Sequence, residues 1–178
     1  MSAFKKFKHA LFLVSVIYLP SAQAELLVSA LSGYCKSEKI TILQSTTISP
    51  PADFNLRELN SEAVKDLYKN NMSSSTMEFK CNGVVVKSEA EINAGFKNKP
   101  KGNVDIFTDE AWVGLREAYP GVGGILRLSQ PGYSVDHKYA ILYVVSSCDS
   151  LCGYADFIQY KFINGAWVYD KKVFVSKS

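Results

Sequence analysis

The chain has 178 residues, 47% of them hydrophobic, with 20 Lys and Arg against 17 Asp and Glu and a formal net charge of +3. Lys5, Lys6 and Lys8 account for the whole excess, so residues 25–178 are formally neutral. Nucleic acid and anionic membranes are bound mainly through clustered Lys and Arg, so neither is expected as a partner.

Those three lysines precede an apolar run from Leu11 to Leu19, followed by Ser21-Ala22-Gln23-Ala24. This is the pattern of a secretory signal peptide, with small residues at Ala22 and Ala24 placing the cleavage before Glu25. The run is shorter than the roughly 20 residues needed to cross a bilayer, so no membrane insertion is expected after cleavage. Residues 1–24 are read as the leader and 25–178 as one domain, long enough to bury roughly 70% of its unfolded surface. The expected location is periplasmic or secreted.

Four cysteines, Cys35, Cys81, Cys148 and Cys152, all follow the leader. An even count in an oxidising compartment points to two disulfides, for which sequence alone permits three pairings. A local Cys148–Cys152 bridge is the simplest, leaving Cys35 to join Cys81 and to stabilise by about 4 kcal/mol on a chain-entropy argument.

Leu26, Leu27, Ala30, Leu31 and Tyr34 recur at helical spacing and predict an opening helix. Ile40 to Ile48 reads as a strand stopped by Pro50-Pro51. Leu59, Ala63, Val64, Leu67 and Tyr68 share one face of a helix started by Asn60 or Ser61, and Val84 to Val86 is a short strand. Ser88 with Glu91 forms a capping box for a short helix carrying Ile92 and Phe96. Asn98 to Gly102 is a polar loop, with Lys97, Lys99 and Lys101 as a solvated cluster. Thr108 then caps a helix whose Asp109 and Glu110 suit the positive end of the dipole. Pro120-Gly121 ends it, and Gly123-Gly124 turns the chain toward strands at Ile125–Leu128, Tyr139–Val145, Phe157–Ile163 and Trp167–Val175. The Asn164-Gly165 pair between the last two is a strong hairpin signal. The fold class is therefore α+β, with N-terminal helices packed on one face of a C-terminal antiparallel β-meander.

Catalytic chemistry has few residues to use. Cys148-Asp149-Ser150-Leu151-Cys152 has the spacing of a thiol-redox or copper-thiolate pair, and copper would want a third ligand. The single histidine outside the leader is His137, in the polar turn Asp136-His137-Lys138. The setting lacks the Cys-x-x-Cys spacing of thioredoxin-like proteins and any βαβ unit, and a nucleophile elbow is absent. No catalytic residue, metal ligand or cofactor is assigned. Ten Tyr, ten Phe and two Trp leave room for an exposed aromatic patch.

Between residues 108 and 175 the chain resembles an uncharacterised family of small exported bacterial proteins. The resemblance is carried by Trp112 with Tyr119-Pro120, Gly124-Ile125-Leu126-Arg127-Leu128-Ser129, Gly132-Tyr133-Ser134, Ala140-Ile141-Leu142-Tyr143-Val144, Cys148 with Leu151-Cys152-Gly153, and Asn164-Gly165-Ala166-Trp167-Val168. It implies a C-terminal meander with a Cys-x3-Cys-Gly loop and an Asn-Gly-x-Trp hairpin, and implies no reaction. The resulting expectation is a non-enzymatic, disulfide-stabilised binding protein of the bacterial envelope, inhibitor- or immunity-like, facing another envelope protein through Asp149, Ser150 and Leu151. Two alternatives stand beside it: a thiol-redox or metal-handling factor using Cys148 and Cys152, and a small-ligand-binding domain.

Overall fold

A computed structural model describes residues 19–96 and 108–177 of the chain. The polar loop at 98–102 and nearly all of the expected leader lie outside the described residues. In chain order the elements are α1 (Leu19–Cys35), β1 (Ile40–Gln44), α2 (Ser61–Asn70), β2 (Val84–Lys87), α3 (Glu89–Gly95), α4 (Asp109–Ala118), β3 (Val122–Leu128), β4 (Gly132–Tyr133), β5 (Tyr139–Asp149), β6 (Cys152–Ile163) and β7 (Ala166–Lys177). The fold is α+β, with helices packed on a sheet whose C-terminal part is an antiparallel meander.

The expected caps form. Asn60 Oδ1 accepts from the backbone N–H groups of Glu62 and Ala63, Ser88 and Glu91 close a reciprocal capping box, and Thr108 accepts from Ala111 N–H. Each satisfies donors that a helix start leaves orphaned. Helix α1 starts at Leu19, well before the Leu26 at which its apolar spacing begins, and runs without a break through the expected cleavage position.

Seven strands form one mixed sheet in the order β2-β1-β3-β5-β6-β7, with β4 pairing β5. Strand β1 is parallel to both β2 and β3, whereas β3, β5, β6 and β7 are successively antiparallel. The regular pairing of β1 stops at Gln44, short of the expected Ile48. Beyond it the chain still donates from Ser45 to Lys87 O, from Thr47 to Ser75 O and from Ile48 to Leu128 O. Gly123 and Gly124 lie inside β3, not at a turn; the turn belongs to Gly121, whose φ of 85° suits a residue without a Cβ. Asn164 and Gly165 turn the last hairpin with φ of 51° and 82°, the two positive values of a type I′ turn.

The helices occupy both faces of the sheet instead of the single face expected. Leu26, Leu27 and Leu31 of α1 pack on Leu43, Leu126 and Leu142. On the other face α3 and α4 cover Ile42 and Ile125 with Ile92, Trp112 and Leu115, and α2 covers Ile141 and Phe157 with Ala63 and Leu67. Successive residues such as Ile42 and Leu43, or Ile141 and Leu142, are therefore all buried, as in sheets covered on both sides. At about 1.5–3 kcal/mol for each fully buried large aliphatic or aromatic side chain, this double coverage supplies most of the favourable term. Strand β7 ends the sheet with two register shifts against β6 and with Lys171 and Lys172, devices that discourage another strand from pairing there.

Candidate functional site

Strands β5 and β6 are joined by a tight turn in which Asp149 pairs with Cys152 across the ladder. The Cys148–Cys152 disulfide closes it, with Cα atoms 5.1 Å apart, and the second disulfide joins Cys35 to Cys81. Gly124 of β3 permits the close approach of this strand end, because a Cβ there would lie 2.8 Å from Ser147 O.

Helix α4 fixes the turn from the side. Arg116 Nη2 donates to Asp149 Oδ2 at 2.7 Å, the other Asp149 oxygen accepts from Ser150 N–H at 3.0 Å, and Ser150 Oγ donates to the Asp109 carboxylate. The guanidinium also sits 5.9 Å from the centre of the Trp112 ring, whose indole anchors α4 in the core. The Arg116 guanidinium holds the Asp149 carboxyl below the usual carboxylate range. Two of the three expected contact residues are thus engaged within the molecule, and Leu151 stands 83% exposed at the tip. Arg116 and Asp109 were absent from the sequence-derived site: the dipole alone accounted for Asp109, and no local pattern links residues 33 or 41 positions away.

His137 occupies the turn before β5, with φ of 54°. The bridge lies at the far end of the same strand, roughly 30 Å away at 3.4 Å per residue, so the imidazole cannot join both sulfurs around one metal. Among the described residues no three His, Cys, Asp or Glu side chains converge as metal ligands, and no helix is long and apolar enough to cross a membrane.

A second feature is concave. Because β4 pairs only with β5, a cleft of about 910 Å³ opens beside it, lined by Glu62, Lys65, Asp66 and Lys69 of α2, by Tyr133 and by His137. Gly132 lets α2 lie directly on β4, since a Cβ would fall 2.2 Å from Ala63 O and Leu67 N. Buried Asn71 ties the two together, donating to Leu67 O at 2.7 Å and to Gln130 O at 2.9 Å while accepting from Gln130 N–H at 2.7 Å.

Compared with profiles of protein families, with curated proteins and with solved structures, the chain matches none.

Proposed function

We propose that this chain is an exported binding module of the bacterial envelope, released from its leader behind Ala24, which acts without catalysis by presenting the bridged β5–β6 turn to another envelope protein. The observation that carries this reading is the contrast within the turn. A disulfide, an ion pair and a hydroxyl–carboxylate bond fix its shape, yet Leu151 is left in water. An apolar anchor held in one conformation loses little entropy on docking, which is the advantage of preorganisation. Inhibitor- or immunity-like activity suits this arrangement, in which Asp149 and Ser150 set the shape and Leu151 makes the contact. The leader pattern and the two disulfides support an oxidising destination.

The test is crosslinking capture from envelope extracts, read by mass spectrometry. One protein should be enriched by the oxidised chain and lost with the Cys148→Ser, Cys152→Ser pair, and Leu151→Asp should weaken its capture about tenfold or more. Capture that is indifferent to both variants would sink the loop as the contact surface. A thiol-redox role is read separately: a structural bridge titrates below about −300 mV, a working one well above it.

A further inference from the structure

We propose that the cleft between α2 and the β4–β5 segment binds a small organic anion through a single carboxylate or phosphate group. The acids and the bases lining it are in different situations. Glu62 accepts from Val135 N–H at 3.2 Å, and Asp66 accepts from Tyr133 N–H at 2.9 Å and from Asn70 Nδ2 at 3.0 Å, so both carboxylates hold the neighbouring backbone in place. Lys65 and Lys69, one turn apart on α2, line the same cleft, and their side chains make no ion pair or hydrogen bond with a described residue.

Tyr133 adds a third donor. Its hydroxyl is buried with no hydrogen-bond partner among the described residues. Burial, and secondarily the charge of Asp66, raise its pKa, so the phenol stays protonated and able to donate. Two ammonium groups therefore line the cleft and an unpartnered phenol is buried in its wall, while both carboxylates are already held by backbone and amide donors. An acceptor, and specifically an anion, complements that set. A volume of about 910 Å³ lies within the range of small-molecule sites, and Pro131 and Val135 supply apolar surface for the body of such a ligand. Of the lining residues only Gln23 belongs to the expected leader, so processing behind Ala24 would leave the donors in place. The site lies at the opposite end of β5 from the bridged turn and does not depend on it.

The test is a ¹H–¹⁵N NMR titration of the whole protein at constant ionic strength with three probes: inorganic phosphate, butyrate and the neutral analogue butyramide. At least one anion should give saturable shifts at Lys65, Lys69, Tyr133 and Val135, with butyramide giving none; which anion does so identifies the group. Lys65→Gln with Lys69→Gln should weaken binding about tenfold or more, Tyr133→Phe should weaken it by a smaller factor, and Lys171→Gln on β7 should leave it unchanged. The proposal is overturned if neither anion saturates by about 10 mM, if butyramide binds equally well, or if the double lysine variant binds as the parent does.

Discussion

The two disulfides do different physical jobs. Cys35–Cys81 joins the end of α1 to the segment before β2 across 46 positions, and both residues pack against the larger hydrophobic cluster. Cys148–Cys152 spans four positions at the rim, and Cys152 is exposed. A bridge that closes a long loop removes many unfolded conformations, whereas one that closes a short turn removes few and mainly dictates local shape. The first belongs to global stability and the second to the surface that the protein presents.

Replacing each pair with serine should separate these jobs. Cys35→Ser with Cys81→Ser should cost about 4 kcal/mol in denaturant unfolding, while Cys148→Ser with Cys152→Ser should cost about 2 kcal/mol. Limited proteolysis should show the complementary order, with the second pair opening the chain at Ser150-Leu151 first. Equal losses of stability would contradict the division. Arg116→Gln should cost less than about 1 kcal/mol, because both partners of its ion pair are more than one-third exposed and screened by solvent.

The same ion pair makes the turn sensitive to acid. Since Arg116 lowers the Asp149 pKa from 3.8 in the folded state, the pair's contribution is present above that pH and lost as the pH falls through the depressed value. Protection of the turn amides, taken relative to their intrinsic exchange rates at the same pH, should therefore fall below about pH 3.8 in the parent and change little there in Arg116→Gln. The smallest stability effect belongs to Leu151→Asp, within about 0.5 kcal/mol, because the side chain is 83% exposed. A large loss of stability there would mean that Leu151 packs within the fold.

Features that depend on near neighbours were legible in the sequence. Asn60, the Ser88–Glu91 box, Thr108 and the Asn164-Gly165 turn each act within a few residues, and each forms as expected. The cysteine pairing observed is the simplest of the three that the sequence left open. Placement across the sheet was not legible: a run such as Tyr139–Val145 is apolar at almost every position, which reports burial without saying which helix covers which side. Parallel pairing of β1 with β2 and β3 likewise depends on crossovers that leave no local mark. Asp149, Ser150 and Leu151 stand out in the sequence only because they lie between two cysteines, and α4's grip on the first two, through Arg116 and Asp109, was invisible. The cleft was invisible too, because α2 and the 130–137 segment meet only through tertiary contacts such as Gly132 against Ala63 and Leu67.

The Cys35–Cys81 bridge also makes part of the chain a closed ring containing β1 and α2. Mechanical tension applied to the two ends passes from Cys35 directly to Cys81 and does not run through the enclosed backbone. The oxidised chain is consequently about 160 Å shorter at full extension than the reduced one, at roughly 3.5 Å for each bypassed residue. Strand β1, clamped in parallel between β2 and β3, sits on that unloaded stretch, while β7 at the sheet's edge lies directly on the loaded path.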